Sequence, residues 1–187
     1  MELLLRALER CAALRSLRLA FKVAPTDRRA LAELLPRTCP RLRDFEWHGT
    51  RLRARATGRL LDGLADAGVR LEQVRFGGVL EPAVFAAAAC HPLRLLSFNP
   101  TTTHAHAVAK DATAEVLATT ALAMSEAFAA ALAALQPTLV ELDYEWYHPW
   151  PDAVAPAPLG ARLERLYLNG THCPRLRRAP ALTTLDL

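Results

Sequence analysis

The spacing L-x-x-L-x-L, with any large apolar residue allowed at the leucine positions, recurs seven times: LRSLRL from Leu14, LRDFEW from Leu42, LEQVRF from Leu71, LRLLSF from Leu93, LVELDY from Leu139, LERLYL from Leu163 and LTTLDL from Leu182. Successive matches are 28, 29, 22, 46, 24 and 19 residues apart. An extended chain turns alternate side chains to opposite faces, so the second and third apolar positions of each match point the same way. One strand of this length has little to bury its apolar face against. Stacked copies share a core.

The segments between matches have to carry the chain back, and their periodicity is helical. DRRALAELLPRTC puts Leu31, Leu34 and Leu35 on one face, and GRLLDGLADAG does the same with Leu60, Leu61 and Leu64. Thr26 and Thr57 are the expected N-caps of these two helices. A strand followed by a helical return, repeated, predicts an α/β solenoid: a curved parallel sheet of about seven strands on the concave side, with helices on the convex side. The chain of 187 residues, 52% hydrophobic and 22% charged, is long enough to bury a core, and residues 1–187 are expected to form one domain.

Two irregularities interrupt the pattern. The 46-residue step equals two short repeats, and LATTAL from Leu117 reads as a decayed strand match with Thr120 in the central core slot. The alanine content from Ala112 to Leu135 favours helix instead, with Ser125 capping EAFAAALAAL, so a helical insertion is expected near residues 100–135. The second irregularity is that the chain opens in a helical pattern and closes within a strand match. A solenoid needs polar caps, so the expectation is a fragment lacking them, or a scaffold whose open edges pair end to end.

Cys11, Cys39 and Cys90 each stand three residues before the first leucine of a match, in CAAL, CPRL and CHPL. There cysteine is expected as a small buried apolar residue, reduced rather than bridged. Cys173 repeats the wording in CPRLRRA but lies 10 residues after Leu163, and is expected in a loop. With these residues in view, the chain resembles leucine-rich-repeat proteins over nearly its whole length, and its Cys-Pro-x-Leu pairing is similar to the cysteine-containing, ribonuclease-inhibitor-like repeats of F-box proteins. That resemblance implies a module that captures a protein substrate for a ubiquitin ligase. No segment resembles the F-box itself.

Charge is banded. Residues 1–80 carry a net +7, residues 81–160 a net −6 and residues 161–187 a net +3, which together give the formal +4. The basic end is expected to attract acidic partners and the middle to repel them. Glu2, Arg6 and Glu9 interrupt what would be the apolar core of a secretory signal, and Glu115 and Glu126 interrupt the alanine-rich stretch, so neither a signal peptide nor a membrane span is expected. The expectation is an intracellular protein, cytoplasmic or nuclear.

Motifs for chemistry are sparse. There is no phosphate-binding G-x-x-x-x-G-K-[ST] loop, dinucleotide-binding G-x-G-x-x-G, nucleophile elbow or H-E-x-x-H. His104 and His106, with Cys90 and His91, could supply metal ligands, but no second pair with ligand spacing follows, and a polar loop is the expected reading. Glu141, Asp143 and Glu145 share a strand face at a spacing of roughly 6.6 Å, which suits paired catalytic acids, but an open strand face has no pocket to shift a pKa. Arg51, Arg53, Arg55 and Arg59 lack interleaved aromatics, so nucleic acid is not the expected partner. No enzyme activity, metal or cofactor is expected.

What remains is a binding surface. The residues between core positions face outwards: Ser16 and Arg18, Asp44 and Glu46, Gln73 and Arg75, Leu95 and Ser97, Asp143 and Glu145, Arg165 and Tyr167, Thr184 and Asp186. Their mixture of charge, leucine and tyrosine is that of a protein-binding surface. Trp146, Tyr147 and Trp150, in a proline-rich segment after the fifth match, are either rim anchors or covers for the core edge. The expected function is non-catalytic: a scaffold that binds a protein partner through the concave strand face. The alternative is a structural or self-associating repeat fragment of a larger protein.

Overall fold

Each of the seven spacing matches becomes a strand. The computed structural model describes residues 2–19, 25–47, 54–77, 81–99, 113–146, 150–170, 175–177 and 179–186. In chain order the elements are α1 (Glu2–Leu8), β1 (Ser16–Leu19), α2 (Pro25–Thr38), β2 (Asp44–Trp47), α3 (Ala54–Asp66), β3 (Gln73–Gly77), α4 (Pro82–Ala88), β4 (Leu95–Asn99), α5 (Ala114–Leu135), β5 (Glu141–Trp146), β6 (Arg165–Gly170) and β7 (Thr184–Asp186). The strands form one all-parallel sheet in the order β1-β2-β3-β4-β5-β6-β7. Successive helices pack on one another from α1 to α5.

The register repeats because one hydrogen-bond device repeats. The carbonyl just before each strand accepts two successive N–H groups from the next: Arg15 from Arg43 and Asp44, Arg43 from Glu72 and Gln73, Glu72 from Arg94 and Leu95, Arg94 from Val140 and Glu141, Val140 from Glu164 and Arg165, and Glu164 from Thr183 and Thr184, all at 2.7–3.1 Å. Six consecutive steps thus meet their backbone donors in the same way.

The strand side chains divide as the alternation requires. Phe45, Trp47, Val74, Phe76, Leu96, Phe98, Leu142, Tyr144, Leu166 and Leu168 enter a core completed by Leu31 and Leu35 of α2, Leu60, Leu61 and Leu64 of α3, Val84 and Phe85 of α4, and Phe128 and Leu132 of α5. Aromatic rings run through its centre: Phe45 to Phe76 (5.7 Å), Phe76 to Phe98 (6.1 Å), Phe98 to Tyr144 (5.9 Å) and Phe128 to Tyr144 (4.7 Å). Burial pushes the Tyr144 phenol well above its ordinary pKa, so the ring stays neutral.

Several expectations need correction. α2 starts at Pro25 and α3 at Ala54, which places Thr26 and Thr57 inside the helices rather than at their caps. Ser125 does not start a helix. It lies buried within α5, whose N-cap is Thr113, with the Thr113 hydroxyl accepting from the Val116 N–H. α5 therefore absorbs LATTAL, and it serves as the return from β4 to β5 rather than as a decayed strand. By length and composition α5 is apolar enough to cross a bilayer, yet Met124, Phe128, Ala131, Leu132 and Leu135 are buried in the core.

The expected helical returns also stop at β5, because Pro151, Pro156 and Pro158 in the next segment oppose helix. Instead Ala157 pairs in parallel with Leu176, so a short extended return backs β6. Gly160 then passes so close to the C-cap of α5 that a Cβ there would collide with the Gln136 carbonyl.

The cysteine slot holds at Cys39, which is fully buried, and only partly at Cys11, which is half-buried; Cys90 is exposed. All three are free thiols. The reason lies in the turns. Before β2, Leu42 donates to the Cys39 carbonyl, whereas before β4 Leu93 donates to the carbonyl of His91, one residue nearer. That tighter turn carries His91 inwards, where Val69 stands before β3. Val69 is itself set by Gly68, whose φ of +76° ends α3 with Val69 N–H on the Leu64 carbonyl and Gly68 N–H on that of Ala65. Cys173, His104, His106, Arg51 and Arg53 lie outside the described residues.

Candidate functional site

The face of the sheet opposite the helices is the candidate site. The pairing register sets its side chains in two rows running across the strands. The first is Ser16, Asp44, Gln73, Leu95, Glu141, Arg165 and Thr184. The second is Arg18, Glu46, Arg75, Ser97, Asp143, Tyr167 and Asp186. Neighbours within a row stand about 4.8 Å apart, the spacing of paired strands. Arg18, Asp44, Glu46, Arg75, Ser97, Asp143, Arg165 and Tyr167 therefore come together on one surface, as the spacing predicts. Glu145 extends it from the end of β5, opposite Asn169 of β6.

Charges on this face are cross-linked between strands. Arg18 pairs with Glu46 at 3.2 Å, and Arg165 with Glu141 at 2.8 Å. The Ser97 hydroxyl donates to Asp143 Oδ2 at 2.9 Å and Asn169 Nδ2 to Glu145 Oε1 at 3.5 Å, while within β3 Arg75 donates to Gln73 Oε1 at 3.4 Å. Half-exposed pairs of this kind contribute at most about 1 kcal/mol each, so their main effect is to hold the side chains in place.

Not every residue of the face is exposed, which corrects the expectation for β4. Leu95 and Ser97 retain only 8% and 7% of their surface, although Leu95 is no part of the main core. They are short side chains on a central strand, flanked by Gln73 and Arg75 on one side and Glu141 and Asp143 on the other. The result is a low floor at β4, one leucine and one serine, between walls that carry Arg75 on β3 and Glu141 and Asp143 on β5. No residue pattern in a single strand announces this, because the floor depends on three strands at once.

The aromatic rim resolves in part. Trp150 is half-buried, its ring lies edge-on to Phe128 at 6.4 Å, and its indole N–H donates to the Val154 carbonyl. It covers the edge of the core. Trp146 is the last residue of β5, and Tyr147 lies outside the described residues.

Elsewhere the chemistry is thin. Among the described residues, no three His, Cys, Asp or Glu side chains group to hold a metal ion. A shallow cleft of about 270 Å³ lined by Glu9, Ala30, Glu33, Leu34 and Arg37 lies on the helical layer, away from the open face. His91 was not anticipated as a structural residue. It is 2% exposed, its Nδ1 accepting from the Leu71 N–H at 3.4 Å and its Nε2 3.1 Å from the Leu61 carbonyl. Burial is the main cause holding its pKa below the ordinary imidazole value, and the neutral tautomer protonated on Nε2 meets both contacts.

In comparisons with known proteins, no family model, curated protein or solved structure matches the chain. The functional reading rests on the geometry.

Proposed function

We propose that the chain is a leucine-rich-repeat solenoid that binds a protein partner on the open face of its sheet. The carrying observation is that face: rows of acidic, basic, hydroxyl and tyrosine side chains, fixed on rigid strands around the floor at Leu95 and Ser97, with no described helix over them. The sequential strand order and the carbonyl device repeated in six steps support the solenoid reading. The role is read as non-catalytic, because among the described residues the carboxylates of this face stand in cross-strand rows on an open sheet. Substrate recognition in the manner of an F-box protein is the specific form the Cys-Pro-x-Leu resemblance favours, in an intracellular setting.

The test is capture from a native lysate on the immobilised chain, beside the variant Arg75→Glu/Asp143→Arg, which reverses both walls. Proteins retained by the parent and lost by the folded variant support the reading. Equal retention by both contradicts it.

A second reading has one observation in its favour. Leu185 holds the core-row position beside Leu166, yet it is 54% exposed where Leu166 is 2%. That favours a covering copy on β7, and predicts a mass that rises with concentration and falls back to the monomer in Leu185→Glu. A monomer at all concentrations contradicts it.

A further inference from the structure

A second surface lies along the edge where the chain enters the strands. Arg15, Arg43 and Arg94 occupy the residue just before β1, β2 and β4, and Arg41 and Arg70 stand two residues before Arg43 and Glu72. The carbonyl ladder places these entries side by side, from Arg15 to Arg43 to Glu72 to Arg94. Three strand intervals separate the first from the last, about 14 Å. Among the described residues of these turns, five arginines thus stand with one carboxylate, Glu72, which is paired to Arg43 at 3.5 Å.

Two of the five have structural work. Arg43 donates to the carbonyls of Leu42 and Arg70, each at 3.2 Å, and Arg70 to that of Cys90 at 3.4 Å, which ties neighbouring turns together. Arg15, Arg41 and Arg94 are exposed, and among the described residues none of their guanidinium groups has a hydrogen-bond or ion-pair partner. Like charges held this close repel one another, and a fold gains nothing from unpaired guanidinium groups in water. An anionic partner removes the repulsion.

We propose that this ridge binds an acidic protein segment, separately from the open face. The arginine fork takes a carboxylate through two parallel hydrogen bonds. An extended chain covers the ridge with about four residues. Nucleic acid fits less well, because the turns carrying the ridge hold no aromatic side chain on which a base could stack, and His91 there is buried.

The experiment titrates the full chain with a fluorescent peptide of about eight glutamates and aspartates, and with a single-stranded oligonucleotide of equal charge. It uses the parent, the triple variant Arg15→Glu/Arg41→Glu/Arg94→Glu, and a charge-matched control, Arg162→Glu/Arg175→Glu/Arg177→Glu, at the other end of the sheet. The expected result is a salt-sensitive Kd for the peptide, raised about tenfold or more by the ridge variant and about threefold or less by the control. Should the triple reversal unfold the chain, the Arg→Gln triple reads the same loss through charge removal alone. Equal weakening by ridge and control variants, no peptide binding by the parent, or tighter binding of the oligonucleotide overturns the proposal.

Discussion

From β2 to β5 the sheet is backed by α3, α4 and α5, and its core rows carry Phe45, Trp47, Phe76, Phe98 and Tyr144 at 4% exposure or less. From β6 to β7 the same rows carry leucines, the backing falls to an extended proline-rich return, and exposure rises to 54% at Leu185. Backbone pairing is the same in both regions, since Glu164 accepts from Thr183 and Thr184 as Arg15 does from Arg43 and Asp44. The comparison separates two things a repeat must supply. Strand pairing propagates by register alone, but burial needs a second layer, and an interior this size is stabilised mainly by apolar area removed from water.

The sharpest way to break the comparison is inside the aromatic centre. Phe85 is fully buried and meets Phe98, Phe128 and Tyr144 at 5.3–5.9 Å. Phe85→Ala is expected to cost about 3–5 kcal/mol, a drop in Tm of roughly 10 °C or more for a chain of this size. Thermal unfolding followed by circular dichroism checks it. A loss near 1 kcal/mol would mean that the rings are not the main support of this region.

Gly160→Ala comes next, because the new Cβ meets the Gln136 backbone, which cannot swing aside as a side chain does. The expected cost is about 1–3 kcal/mol, visible as a lower urea midpoint. The damage should concentrate where the proline-rich return meets α5, and hydrogen exchange at Leu163 to Leu168 should speed up before exchange in β2 and β3.

His91 gives the central region a pH dependence of defined sign. Its folded-state pKa is lowered, so the folded state binds fewer protons than the unfolded chain once the pH falls below the ordinary imidazole value of about 6.5. Its contribution is complete above that pH and is lost as the pH falls through the folded pKa. The parent Tm should therefore decline more steeply from pH 7 to pH 5 than that of His91→Leu, even if the variant starts lower. Parallel declines would show that the imidazole does not titrate with folding.

The smallest effect should fall at the thin end. Leu142 and Leu185 hold equivalent core-row positions in β5 and β7, at 0% and 54% exposure. Leu142→Ala is expected to cost about 2–5 kcal/mol and Leu185→Ala about 0.5 kcal/mol or less. Equal costs at low concentration would remove the distinction between the two regions.

The strands were legible because their signal is local: a period-2 pattern within six residues fixes both the element and its buried side. Helix starts were less so, because Thr26 and Thr57 look like caps while Pro25 and Ala54 already begin the helices. Ser125 misled for a related reason. A hydroxyl in an alanine-rich run resembles a cap, but α5 is long enough to bury it, and its Oγ has no hydrogen-bond partner. His91 was readable only by comparing turns, since it stands two residues before Leu93 as Val69 does before Leu71. The floor at Leu95 and Ser97 was not readable at all from one strand, because the period-2 pattern assigns both to the open face while their burial is set by surroundings outside β4.

The most direct test of the open face as the recognition surface is carboxylate footprinting of the chain with and without a captured partner. Our account predicts that labelling of Asp44, Asp143 and Asp186 on the open face falls when the partner is bound, while Glu33, Asp62 and Glu126 on the helices stay as reactive as before. Protection of the helical carboxylates with Asp143 still reactive would place the partner on the opposite side of the sheet and contradict it.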